Sequence, residues 1–292
     1  MKGIILAGGS GKRLFPLTKI SSKQLQAVYD KPMIYYPLTT LIAAGIREIS
    51  IIITPGDKDA FEDLLQDGQQ LGINLNFIVQ QKPLGIANAI VLAEEFIDES
   101  NFTLILGDNI FSGGSDIPNS VNSFNSGALV FAYHVPDPER YAVLEFNKEM
   151  EIKSLVEKPS KPKSNYAVPG FYIYDKEAIK MAKSLKPSPR GEYEITDINL
   201  KYLENGALQV HRLSRGFAWL DSGTSSSLHN ASNYVAAIEQ RQGMKIGCPE
   251  EASLIRGFIN LKDLQKLALK MPECEYSNYL FKIIDGYQTG ML

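Results

Sequence analysis

The stretch from Lys2 to Lys23 constrains the chain most. It opens on an apolar run, Gly3-Ile4-Ile5-Leu6-Ala7, and breaks at once into Gly8-Gly9-Ser10-Gly11-Lys12-Arg13. Such a run reads as a buried strand, and three glycines within four positions give a loop whose backbone can approach a ligand closely. The loop presents main-chain N–H groups to phosphate oxygens, while Arg13 and Lys23 add a planar fork and a point charge for a dense anion. Spacing excludes two familiar phosphate loops. Leu6 stands where a Walker loop needs its first glycine relative to Gly11-Lys12, and Arg13 replaces the hydroxyl residue. Leu14 stands where a dinucleotide fingerprint needs its third glycine, which weakens a nicotinamide dehydrogenase reading. On glycine count alone, a plain tight turn after the first strand stays open.

Met33, Ile34, Leu38, Leu41 and Ile42 predict a helix over 32–46 stopping at Gly45, and Ile49 to Thr54 is a β-branched run typical of a strand buried on both faces. A second helix over 57–71 and a strand over 73–79 follow. This alternation indicates βαβ units: an α/β chain, Rossmann-like, three-layered, with a mostly parallel central sheet. Ligands in such sheets sit beyond the carboxyl ends of the strands. Three ends should therefore meet: Gly8 to Arg13, Gln80 to Gly85, and Gly107-Asp108-Asn109. The carboxylate of Asp108 closes a strongly apolar strand, where it is costly unless compensated. A divalent cation such as Mg2+ compensates it; a turn capped together with Asn109 is the alternative. The segment 112–125, rich in Gly and Ser, reads as a surface loop. Residues 1–242 are read as the catalytic domain and 243–292 as a C-terminal helical extension.

With 30 basic and 33 acidic residues the net charge is −3, which argues against a general nucleic-acid or anionic-membrane binder. Cys248 and Cys274 match neither a zinc nor a redox spacing, and His134, His211 and His229 form no ligand set. No apolar run approaches the roughly 20 residues that span a bilayer, and a cytoplasmic location is expected.

The loop, then Ser22-Lys23-Gln24-Leu25, then Val28-Tyr29-Asp30-Lys31-Pro32-Met33-Ile34-Tyr35-Tyr36-Pro37-Leu38, resembles the signature of the sugar-1-phosphate nucleotidylyltransferases. It is most similar to their thymidylyl-transferring branch, in blocks reaching about residue 260. The resemblance implies a nucleotidyltransferase fold, Mg2+ as cofactor, dTTP and glucose 1-phosphate as substrates, and a homotetramer. It implies that Arg13, Lys23 and Lys158 act on the reacting phosphates and that Asp108 and Asp221 hold the metal. The nucleotide would meet Gly8, Gly9, Gly11, Gln24, Gln80, Pro83, Gly85 and Asn109. On the sugar side it implies Tyr141, Ala142, Glu157, Lys158, Val168 and Glu192.

Three departures stand out. Leu84 replaces the branch's usual Asp beside the base-reading Gln80, so UTP remains an alternative to dTTP. Ala142 replaces a usual glycine. Ile255, Ser112 and Gly114 differ from the residues usual around a regulatory site at a subunit boundary, whereas Cys248-Pro249-Glu250-Glu251 match. The rival from another class is a catalytically silent, sugar-nucleotide-sensing subunit; loss of Arg13, Lys23, Asp108 or Asp221 would favour it, and all four are present.

Overall fold

The structure is a computed structural model describing residues 1–9, 11–149 and 151–291; Ser10 of the glycine loop, Met150 and the terminal Leu292 lie outside them. In chain order the first half comprises β1 (Lys2–Leu6), β2 (Ala27–Val28), β3 (Lys31–Pro32), α1 (Tyr35–Ala43), β4 (Glu48–Ile53), α2 (Lys58–Leu65), β5 (Asn74–Val79), α3 (Ile86–Leu92), α4 (Glu94–Ile97), β6 (Phe102–Leu106), β7 (Asn109–Ser112) and α5 (Asp116–Ser123). The second half adds β8 (Ala128–His134), β9 (Ala142–Phe146), β10 (Ile152–Glu157), β11 (Tyr166–Ala167), β12 (Phe171–Tyr174), α6 (Glu177–Lys183), α7 (Ile195–Glu204), β13 (Leu208–Arg212), β14 (Ala218–Asp221), α8 (Ser225–Gln242), α9 (Pro249–Ile255), α10 (Leu261–Lys270) and α11 (Glu275–Thr289).

The main sheet runs β10-β9-β11-β8-β12-β6-β1-β4-β5, with β13 paired to β8. β1 lies parallel to both β4 and β6, and β4 is parallel to β5. β10, β11 and β12 run against this grain: β12 is antiparallel to β6 and β8, β11 to β8 and β9, and β10 to β9. Because the chain leaves β1 toward β4 and later returns to β1's other side as β6, the order reverses at β1. That reversal opens a crevice beyond its carboxyl end. Apolar side chains fill both faces of the sheet in two large clusters, one including Ile5, Ile51 and Phe171, the other Ile4, Leu104 and Tyr174. The parallel strands are buried on both faces, hence their near-continuous apolar runs.

Three expectations are corrected. The helix expected over 32–46 starts at Tyr35, because Lys31–Pro32 pairs with Ala27–Val28 in a small ladder, and it ends before Gly45 at φ +87°. The helix expected over 57–71 stops at Leu65, after which Gln66 takes φ +53° and a single 3-10 turn covers Gln69–Leu71. The segment 112–125 is not a loop: it contains β7's last residue and α5, which buries Ile117 and Val121. Pro118 is tolerated there because it lies in the first turn, where the N–H has no helical partner.

In the C-terminal segment α10 and α11 share an apolar cluster that includes Leu264, Leu280 and Ile284. Arg256, after α9, donates from Nε to the Ala43 carbonyl at 2.6 Å in the last turn of α1. A buried ionic knot joins this segment to the β2–β3 hairpin. Glu239 of α8 accepts from Lys31 at 2.9 Å and from the Ile246 N–H at 2.8 Å, with Lys245 at 3.3 Å, and both lysines also pair with Asp30. No helix among the described residues is long and apolar enough to cross a membrane.

Candidate active site

The expected strand ends do converge. Beyond β1, Gly11 takes φ +58°, and a methyl group there would lie 2.6 Å from the Thr18 side chain, so the turn that presents Arg13 needs glycine. Leu14, fully buried, anchors that turn. Gly8 and Gly107 make room for two glutamines. A Cβ on Gly8 would sit 2.7 Å from Oε1 of Gln80, and one on Gly107 would sit 2.9 Å from Cγ of Gln24. Gln24 and Gln80 are each 3% exposed, yet Gln24 Oε1 and Gln80 Nε2 have no hydrogen-bond partner, and neither do the buried hydroxyls of Ser22 and Ser222. Buried polar atoms are normally satisfied, so orphans gathered around one crevice mark a place for a ligand. Gly9 is exposed and open, and Pro83 is exposed on the loop beyond β5.

β7 and β14 pair antiparallel with Asn109 opposite Asp221, and the Ser222 N–H donates to the Asp108 carbonyl at 3.0 Å. One aspartate from each half of the chain is thereby brought to the same spot. Burial, followed by the charge of Asp108, raises the Asp221 carboxyl above its usual range. Lys23 pairs with Asp108; Arg140 lies 3.3 Å from Asp221; and Arg13 stands beside Asp221, both closing on Gly223, where a Cβ would lie 2.9 Å from the Asp221 carboxylate. The donor set suits Mg2+, which takes one or two carboxylates and completes its shell with phosphate oxygens and water. Among the described residues no group of three or more His, Cys, Asp or Glu could hold a metal.

Asn109, expected among the nucleotide contacts, is buried beside Asp108 with its side chain hydrogen-bonded within the chain. Its Oδ1 accepts from Gly170 N and Trp219 Nε1, and its Nδ2 donates to Asp108 at 2.8 Å. It braces Asp108 and is 3% exposed.

Where a sugar is expected, Ala142 stands opposite Glu157 across the β9–β10 ladder, and its carbonyl accepts from the Val168 N–H at 2.8 Å. Glu157 accepts from Thr196 at 2.6 Å. Lys158, at φ +42°, places Nζ 3.6 Å from Glu157. Tyr141 packs edge-on against Trp219, ring centroids 4.9 Å apart; burial first, then Asp221, pushes its phenol up to about 12. Burial first, then the charges of Glu157 and Asp108, pushes the Tyr172 phenol upward. Glu192 stands at the rim, half exposed, 3.6 Å from Arg190. The base-side loop is tied to this rim: Tyr193 N–H donates to Leu84 O at 2.8 Å and Ala87 N–H to Tyr193 O at 3.1 Å.

Sequence reasoning assigned no role to Arg140 or Arg190. The latter bridges Glu194 at 2.8 Å and Glu157 at 3.4 Å. Arg140 adjoins Tyr141 and Arg190 lies two residues before Glu192, but an arginine in a polar loop carries no local signal of its partner.

A crevice at the reversal of a parallel sheet, lined by cations and two carboxylates, is suited to transfer between phosphates, and the chain belongs to the nucleotidyl transferase family, whose sequence profile matches residues 2–238. Its relatives include proteins named glucose-1-phosphate thymidylyltransferase. One from Xanthomonas campestris pv. campestris (strain B100) is 50% identical over 281 residues, 96% of this chain and 95% of that one. Another from Mycobacterium tuberculosis (strain ATCC 25618 / H37Rv) is 50% identical over 287 residues, 98% of this chain and 99% of that one. A Bacillus anthracis structure described as a glucose-1-phosphate thymidylyltransferase, in complex with a sucrose, superposes with TM-score 0.75 at 42% identity, covering 80% of this chain and 94% of that one. A UDP-glucose pyrophosphorylase complexed with UDP-glucose, 23% identical with TM-score 0.72 over 82% of this chain and 99% of that one, shares the fold.

Proposed function

We propose that the chain transfers a thymidylyl group from dTTP to glucose 1-phosphate, forming dTDP-glucose and pyrophosphate with Mg2+ held by Asp108 and Asp221. The observation that carries the reading is the pair of unpartnered amide atoms, Gln80 Nε2 and Gln24 Oε1, at the strand ends. Together they offer a donor and an acceptor to the imide edge of a base. The relatives' shared name supports the same reading.

A sugar-phosphate oxygen attacks the α-phosphorus in line; the bond from that phosphorus to the bridging oxygen breaks, and the oxygen leaves with pyrophosphate. Such transfer is catalysed mainly by positioning and charge neutralisation. Arg13 and the N–H groups of Gly8, Gly9 and Gly11 neutralise the β- and γ-phosphates, and Lys23 serves the reacting ones. When bound, Mg2+ supplies further charge neutralisation at the α-phosphate. Pro83 and Gly85 shape the base loop. Lys158 orients the attacking phosphate, while Glu157 accepts from sugar hydroxyls within a wall of Tyr141, Ala142, Val168 and Glu192. The reading extends to a cytoplasmic homotetramer, for which sedimentation gives the subunit number.

Pyrophosphate release with glucose 1-phosphate and Mg2+, comparing dTTP with UTP at equal concentration, tests the proposal. Strong preference for dTTP supports it. Preference for UTP moves the chain to uridylyl transfer, and no release with either overturns it.

A further inference from the structure

Both carboxylates assigned to the divalent cation are already held by cations of the chain. Lys23 pairs with Asp108, and Arg140 spans two aspartates, with one amino group 3.3 Å from Asp221 and the other 2.7 Å from Asp137. Asp108 and Asp221 are mostly buried, their side chains 19% and 14% exposed. Two carboxylates so placed need counter-charge to stay ionised. With Arg13 beside Asp221, three cations face three carboxylates and the cluster is electrically balanced. A divalent cation added alone would leave an excess of positive charge. Each of the two side chains sits on a single-turn 3-10 segment, Lys23–Leu25 and Pro138–Arg140, and a guanidinium suits phosphate as well as carboxylate.

We propose that Lys23 and Arg140 are resident counter-ions that keep Asp108 and Asp221 closed to a free divalent cation and release them when a triphosphate competes for the two side chains. Cation and nucleotide then load together, and Arg140 joins the phosphate-facing residues. This inference rests on the nucleotidyl-transfer reading.

Electron paramagnetic resonance of Mn2+ with the nucleotide-free protein tests it, using wild type, Arg140→Met and Arg140→Lys, each with and without a non-hydrolysable dTTP analogue. Arg140 is exposed at the end of its turn, so both variants are expected to fold. Wild type should bind Mn2+ at this site far more weakly without the analogue than with it. Arg140→Met should tighten nucleotide-free Mn2+ binding by about two- to fivefold, the range a partly exposed ion pair can hold back, and Arg140→Lys should restore the exclusion. Wild type binding Mn2+ equally well without the analogue, or unchanged affinity in Arg140→Met, overturns the inference. Pyrophosphate release by the same preparations separates the two levels: active wild type with free Mn2+ access sinks the counter-ion role alone, whereas wild type inactive with both dTTP and UTP sinks the reading beneath it.

Discussion

The indole N–H of Trp219 donates to Oδ1 of Asn109 at 2.6 Å, and the same oxygen accepts the Gly170 N–H at 3.0 Å. One buried amide therefore ties β14 and the start of β12 to β7, directly behind Asp108. Asn109→Ala strands two buried donors and should cost about 2–4 kcal/mol by urea unfolding, while Trp219→Phe, which removes only one donor, costs less. Turnover should fall further in Asn109→Ala, because Asp108 loses its neighbour's support.

Asp108→Asn and Asp221→Asn should each lower pyrophosphate release by at least about a hundredfold, the scale of one lost electrostatic contact in a transition state. Neither should unfold the chain. Asp221 is held above its usual range by burial, so between its ordinary and its raised value the folded form keeps a proton that the unfolded form has lost. Its contribution to stability declines as pH rises through that interval, and Asp221→Asn should melt no lower than wild type at pH 7. Loss of the fold in thermal melts at pH 7 would contradict this placement.

Glu250 gives the clearest pH effect away from the site. It is buried and bonded to the Tyr276 hydroxyl at 2.6 Å, and burial raises its carboxyl above 4.5. Here too the native chain binds the proton more tightly, so stability falls as pH climbs from 4.5 through the raised value. Glu250→Gln should flatten that part of the Tm against pH curve while leaving the transition cooperative.

Gly85 is held at φ +110°, and a methyl group there would lie 2.5 Å from the Tyr193 carbonyl oxygen. Gly85→Ala should lose about 2 kcal/mol or more and weaken dTTP binding, measured by urea unfolding and calorimetry. Gly191→Ala is the control: its φ of +76° is similarly left-handed but nothing lies within 4 Å of the added carbon, so about 1 kcal/mol is expected.

The parallel strands and the crevice were legible because their signals are local: an apolar run ending abruptly in glycine or aspartate. Other features depended on contacts distant in sequence. In α5 only Ile117 and Val121 mark the buried side among serines and asparagines, too sparse a period to separate from a loop. Arg140 acquires its meaning from Asp221, 81 residues later. Asp108 and Asn109 illustrate a subtler limit. Their side chains meet, Asn109 Nδ2 on Asp108 Oδ1 at 2.8 Å, and sequence adjacency does not say which of the two the fold engages internally.

The knot around Glu239 bears on how the chain can be handled as modules. Residues 243–292 look separable on paper, a run of short helices following a long one. A cut after Gln242 would remove Lys245 and the Ile246 N–H from a quartet of two lysines and two carboxylates. It would leave one negative charge without its partner beneath the hairpin that begins a few residues after Lys23 and Gln24. Protein engineers wanting a minimal transferase should therefore move the whole chain, or redesign Asp30 and Glu239 together with the truncation.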